Sequence, residues 1–146
     1  MTDHCQVDFY LLATPGLDAR RLACRLALMS WERGHHTTVI ADSSMEASEM
    51  DALMWESPPG RFLPHDLDQE NTAGSAPVII SLMSGLKATE VVINLCPQPI
   101  PEPDRFQRLL EIVPHQDFER ENSREKFRVY RDQGISPRMH EIRSYK

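Results

Sequence analysis

Apolar and polar positions change period several times along this 146-residue chain, and each change marks an element. Residues 6 to 13, Gln-Val-Asp-Phe-Tyr-Leu-Leu-Ala, begin by alternating and then become continuously apolar, the pattern of a strand buried on both faces. Such a run is too apolar for an edge, so the strand is expected near the middle of its sheet. Thr14-Pro15-Gly16 ends it. From Asp18 to Arg33 the apolar positions Leu22, Leu26 and Met29, with Ala23 and Ala27, recur at the helical period, and Gly34 supplies a C-terminal stop. Thr37 to Ala41 predicts a second strand, after which Ser43 or Ser44 can cap a helix reaching about Trp55 with Ala47, Met50, Leu53 and Met54 turned inward. Residues 56 to 76, rich in Pro, Gly and polar side chains, predict a loop. Pro77 to Leu82 and Val91 to Leu95 predict two further strands around a turn near Gly85. The proline run from Pro97 to Pro103 excludes a helix interior, but Pro103 can start a helix presenting Phe106, Leu109 and Leu110. Ile112-Val113 then predicts a short strand, and a last helix runs from about Phe118 to Asp132, ended by Gly134 and Pro137.

Strands alternating with helices imply an α/β class: a Rossmann-like three-layer fold with a mostly parallel central sheet and right-handed crossovers. A chain that is 40% hydrophobic and 26% charged can fill one substantial core, and no repeat or linker divides it, so residues 1 to 146 are expected to form one domain. No apolar run approaches the roughly 20 residues that cross a bilayer, and the polar start Met1-Thr2-Asp3-His4 is unlike a signal peptide, so no membrane association and a cytoplasmic location are expected. Cys5, Cys24 and Cys96 are odd in number and widely spaced, which predicts reduced thiols rather than a disulfide or metal motif.

Charge changes the picture. Residues 1 to 117 carry 8 Lys+Arg against 17 Asp+Glu, whereas residues 118 to 146 carry 8 against 5. Within that basic end Arg120, Arg124, Arg128 and Arg131 fall within an arc of roughly 80° on a helix, with Phe127 beside them and Tyr130 just beyond. Guanidinium forks bind carboxylates in pairs of hydrogen bonds and a neighbouring ring offers apolar contact, so the stripe suits an acidic ligand bearing a hydrophobic group. The alternatives are a solvated face paired with Glu121 and Glu125, or a direct nucleic-acid contact through phosphates; a net charge of −6 opposes bulk attraction to nucleic acid but not a local patch.

Catalytic signals are sparse. The turn after the first strand, Ala-Thr-Pro-Gly-Leu-Asp-Ala-Arg-Arg, lacks the glycines that let backbone amides approach a pyrophosphate, and no P-loop follows a strand. His35-His36 has no second ligand pair, His65 and His115 belong to no nucleophile motif, and Asp42 and Asp66 show no specific metal spacing. A degenerate nucleotide-binding enzyme is therefore the weakest reading, and no cofactor is expected.

A second patch lies in Trp55-Glu-Ser-Pro-Pro-Gly-Arg-Phe-Leu-Pro-His65, which concentrates a Trp, a Phe and a Leu at a helix end and in the loop beyond. Aromatic anchors on a loop are buried either by the loop folding back or by a partner, for which Trp and Phe are frequent hot spots. If they serve a partner, at least one ring should be exposed in the isolated chain.

Several blocks together resemble the chi subunit of the bacterial DNA polymerase III clamp-loader complex. They are Phe-Tyr-Leu-Leu in the first strand, Trp31 to Gly34, Ala52 to Leu67, Ala76 to Val78, the Val-Ile-Asn-Leu strand, Val113 to Asp117, and Arg124 to Gly134, and they occur in the family's order over nearly the whole chain. The resemblance implies a non-catalytic subunit that pairs with the psi subunit and binds the acidic C-terminal tail of single-stranded-DNA-binding protein, so that nucleic acid is met indirectly. It implies that Val113, Arg120, Arg124, Phe127 and Arg128 form the tail-binding pocket, one arginine taking the terminal carboxylate and apolar walls taking a Phe ring. It implies that Trp55, Phe62, Pro64 and His65 face psi, a surface that in some relatives also receives a DNA-repair helicase. Phe127 stands where the family has Tyr, and Arg120 and Arg128 where it has Lys, so a hydroxyl is lost and the charge is kept. Residues 68 to 75 and those after Gly134 align poorly with the family and receive no role from the resemblance.

Overall fold

The computed structural model describes residues 5–67, 76–87 and 89–144. Strands β1 (Gln6–Leu12), β2 (Thr37–Ala41), β3 (His65–Leu67), β4 (Val78–Leu82), β5 (Val91–Asn94), β6 (Arg108–Val113) and β7 (Arg138–Ile142) form one sheet in the order β3-β4-β2-β5-β6-β1-β7. Every pairing is parallel. Helices α1 (Ala19–Glu32) and α2 (Ser44–Met54) contribute Leu22, Leu26, Ala47, Met50 and Met54 to the core on one face of the sheet, with Leu12, Val39, Ile80, Ile93 and Leu110. Helix α3 (Asp117–Asp132) sends Tyr130 into a second core on the opposite face, among Val7, Phe9, Ile40, Val92 and Leu109. This is the expected three-layer α/β arrangement. Local signals place the helix starts: the Asp18 carboxylate accepts the Arg20 N–H at 2.9 Å and the Ser43 hydroxyl accepts the Glu46 N–H at 3.1 Å.

Four expectations need correction. The helix expected from Pro103 is a single 3-10 turn, Pro103–Arg105, followed directly by β6. Leu109 and Leu110 are both fully or nearly buried because adjacent strand residues point to opposite cores, whereas a helix would have needed them on one side. β1 is sixth of the seven strands rather than central, and β5, whose four residues are all buried, holds the middle. The segment after Pro137 forms β7, which covers β1 and lets so apolar a strand sit next to the edge. Finally, the loop of residues 56 to 76 contains β3, the opposite edge.

The three cysteines are free and buried, and burial pushes the Cys5 and Cys24 thiols up to about 12 and Cys96 to about 11, so they pack as small apolar groups. None of the described helices is long and apolar enough to cross a membrane.

Among the described residues two carboxylates lie fully inside. Glu111 on β6 accepts hydrogen bonds from Lys126 Nζ at 2.8 Å, Tyr130 Oη at 2.6 Å and Asn94 Nδ2 at 3.0 Å. Lys126 Nζ also donates to the Cys96 carbonyl at 2.5 Å, and Tyr130 Oη accepts the Ile100 N–H at 2.8 Å. Burial pushes the Glu111 carboxyl upward against these bonds, and burial with the adjacent Glu111 charge pushes the Tyr130 phenol up, keeping it a donor. This network fastens α3 to the sheet. The second carboxylate, Asp8 on β1, is opposed by burial, but hydrogen bonds from His140, Gln6 and Arg108 outweigh it and hold the group down from 3.8 to about 2. A carboxyl depressed by folding stabilises fully above its unfolded value, so the Asp8 contribution is complete above pH 3.8 and is lost as pH falls toward 2. Urea midpoints measured between pH 5 and 2 are expected to fall more steeply, by this contribution, in the wild type than in Asp8→Asn, with the difference gathered in that window.

Candidate functional site

Helix α3 presents two chemically different sides. Lys126 and Tyr130 point into the sheet and are buried, which fixes the rotation of the helix. The remaining arc carries Arg124, Arg128 and Arg131 in solvent and Arg120 and Phe127 half-buried. Phe127 rests on Phe9 with ring centroids 5.6 Å apart, so its inner edge belongs to the core and its outer edge is left to the surface. Where α3 overhangs the outer strands, a cleft of about 670 Å³ opens. Its apolar lining is Leu11, Val113, Phe127 and Met139, and its rim is Arg120, Arg124, Arg128 and Arg131 with Ser123 and Asp132.

All five residues singled out for an acidic tail, Val113, Arg120, Arg124, Phe127 and Arg128, line this one cleft. Arg128 also reaches Glu125 at 3.3 Å within its own helix, with both side chains largely exposed, so that pair costs little to break. Among the described residues no carboxylate pairs with Arg120, Arg124 or Arg131. Those three guanidinium groups are therefore available to a ligand. Leu11 and Met139 complete the pocket without having been singled out. Leu11 is indistinguishable in sequence from the other apolar residues of β1. Met139 lies between Arg138 and His140, and its only signal is the alternation of a short edge strand.

The second patch sits at the C-terminal end of α2 and before β3. Trp55 is 59% exposed and Phe62 64%, their rings 6.1 Å apart, which excludes burial of both in the chain's own core. Leu63 is buried and anchors the loop, so its neighbour Phe62 is turned outward, while Pro64 is half-buried. His65 does not reach the surface: Nδ1 donates to the Leu63 carbonyl at 2.7 Å, Nε2 lies 3.2 Å from Asp51 Oδ1, and the ring lies 4.7 Å from that of Trp55. It supports the Trp55 ring from behind. β3 and β7 are the two edges of the seven-stranded sheet, about 29 Å apart at about 4.8 Å per strand spacing, so the two patches lie toward opposite edges.

His35 Nδ1 lies 2.8 Å from Glu90, which also accepts the His36 N–H at 3.1 Å, tying the α1–β2 turn to β5. His115 and Asp42 are exposed, and among the described residues no group of three His, Cys, Asp or Glu could hold a metal ion.

Residues 5–138 match the protein family described as DNA polymerase III chi subunit, HolC. The chain is 32% identical over 131 residues to the DNA polymerase III subunit chi of Haemophilus influenzae, covering 87% of this chain and 90% of that protein. It is 31% identical over 139 residues to the subunit chi of Pseudomonas aeruginosa, covering 94% and 96%, and 27% identical over 135 residues to that of Escherichia coli, covering 88% and 92%. Among solved structures it is similar to T4 UvsW, with a TM-score of 0.70 at 8% identity, and to S. cerevisiae Dbp5 bound to Nup159, with 0.69 at 10%. The chain spans 42% and 44% of those two proteins, and at such identities the likeness is one of fold alone.

Proposed function

This chain belongs to the DNA polymerase III chi subunit family, and on that premise we propose that it is a non-catalytic cytoplasmic adaptor that joins the psi subunit through the Trp55 and Phe62 patch and grips the acidic C-terminal tail of single-stranded-DNA-binding protein in the α3 cleft. The observation that carries this reading is the cleft's composition, an apolar floor of Leu11, Val113, Phe127 and Met139 beneath a rim of arginines. That pairing suits a peptide ending in an aromatic residue, with aspartates and a terminal carboxylate to meet the guanidinium groups. A nucleic-acid backbone would use the rim and leave the floor idle, which makes direct phosphate binding by α3 the weaker reading.

The separation of the two patches supports simultaneous engagement. A partner on each edge leaves both contacts accessible, and two modest contacts within one assembly raise the effective concentration of polymerase near coated single strands. A DNA-repair helicase is the other candidate for the Trp55 and Phe62 patch.

Arg124 is the first choice for the terminal carboxylate, because it is exposed, stands in mid-arc, and has no carboxylate partner among the described residues. Arg124→Ala is expected to weaken binding of an acidic peptide ending in Pro-Phe by about 1–3 kcal/mol, with Tm unchanged. Binding should fall as salt rises. Phe127→Tyr should be near neutral, since the ring contact with Phe9 is kept. Titrations of the peptide and of a naked oligonucleotide decide between the two readings: an oligonucleotide that binds more tightly than the peptide and loses its affinity in Arg124→Ala would overturn the adaptor assignment.

A further inference from the structure

β7 turns alternate side chains to the two faces of the sheet. On the face away from α3, Arg138 Nε donates to Asp8 Oδ1 at 3.1 Å and His140 Nε2 to the same oxygen at 2.8 Å. Arg108 and Gln6 donate to Asp8 Oδ2 at 2.9 and 3.0 Å, and the His140 ring stacks on Tyr10 at 5.0 Å. Asp8 is wholly buried under these groups. On the other face Met139, the residue between the two Asp8 ligands in sequence, stands at the outer side of the α3 cleft. The strand that closes the cleft is thus held from behind by one carboxylate.

β7 is the last strand of the sheet and, among the described strands, pairs with β1 alone. The Ile142 carbonyl accepts the Ala13 N–H at 2.9 Å, so by the alternation of a parallel pair Arg138, His140 and Ile142 aim their backbone groups at β1, while those of Met139 and Glu141 point outward. A five-residue edge strand is held from one side, by its ladder to β1 and the packing of Ile142, and the Asp8 contacts add a grip at Arg138 and His140, on either side of Met139.

We propose that Asp8 is a positioning residue for the tail-binding cleft: by holding Arg138 and His140 it places Met139 as the outer wall against the ligand's terminal ring. This rests on the tail-binding reading above. Asp8 lies on the opposite face from the cleft, so its effect must pass through Met139 and must concern the ring more than the carboxylate.

The test uses the full chain as wild type, Asp8→Asn, Met139→Ala and the double variant, titrated with two acidic peptides, one ending in Pro-Phe and one lacking that Phe. Asp8→Asn and Met139→Ala are each expected to bind the Phe-ending peptide about five-fold more weakly, and the double variant no more weakly than Met139→Ala alone. The peptide without Phe should bind wild type and Asp8→Asn alike, which a general loosening of the fold would not produce. Amide hydrogen exchange reads the strand independently: His140 and Ile142 should exchange faster in Asp8→Asn while Val92 and Ile93 on β5 keep their protection. Arg138→Gln, at an exposed side chain, should give a milder form of the same pattern if Asp8→Asn does not fold. The proposal is overturned if Asp8→Asn binds the Phe-ending peptide as the wild type does, or weakens both peptides equally. If the wild type binds neither peptide, the tail-binding reading fails and this proposal with it; if the wild type binds and β7 keeps its protection in Asp8→Asn, the positioning role alone is overturned.

Discussion

Lys126→Met should cost the fold about 3–5 kcal/mol, the largest effect expected of any single change in α3, because it leaves the buried Glu111 without its cation, to stay charged in the interior or take up a proton there. Lys126 and Glu111 side chains are 6% and 1% exposed and meet at 2.8 Å, so neither can turn to water when the other is removed. Replacing both partners, as Lys126→Met with Glu111→Gln, should recover a large share of the loss, since the neutral amide keeps an acceptor for Tyr130 and carries no charge. Urea unfolding followed by circular dichroism measures both; a Lys126→Met cost below 1 kcal/mol would mean that the pair does not fasten α3. Tail binding should decline in the same variant, since the cleft exists only while α3 overhangs β1 and β6.

That network shows where the sequence is readable and where it is not. The arginine arc on α3 follows from helical period alone, because Arg120, Arg124 and Arg128 repeat at one turn and need no knowledge of what lies beneath them. The opposite side of the same helix is harder. Lys126 looks like one more solvated cation, and only the carboxylate in Leu-Leu-Glu111-Ile-Val, stranded in an apolar run, hints that a buried cation is required. The same Glu111 disguises β6: it breaks the apolar run so that Phe106, Leu109 and Leu110 resemble one helical face. β7 is hidden for a different reason. Arg138, His140 and Glu141 read as a polar end of the chain, yet Arg138 and His140 are paid for by Asp8, 130 and 132 positions earlier, a pairing that no local pattern encodes. The edge role of β7 in turn explains why β1 lies next to an edge despite its composition. The Trp55 to His65 block is legible as an anchor surface, but which rings face out depends on Leu63 being the one that turns in.

Phe62→Ala should weaken assembly with psi by about 2 kcal/mol or more while leaving Tm within a degree or so of the wild type. The ring is 64% exposed and its nearest aromatic neighbour, Trp55, is 59% exposed, so the fold gains little from either, whereas a partner covering both would desolvate a contiguous pair. Trp55→Ala should do the same to assembly with a somewhat larger effect on the loop, because Trp55 also packs on His65. Co-purification and calorimetry with psi check the first part and thermal melts the second. Loss of assembly accompanied by an equal loss of Tm would instead make the rings part of the fold.

The adaptor account stands on the α3 cleft, and the most direct measurement is calorimetric titration of an acidic peptide ending in Pro-Phe into the wild type and into the Arg124→Ala, Arg128→Ala double variant. One-site binding to the wild type is expected, weakened at least ten-fold in the double variant, about 1.4 kcal/mol or more, and likewise weakened when the peptide lacks its terminal Phe. Binding of equal strength to the wild type and the double variant would contradict it.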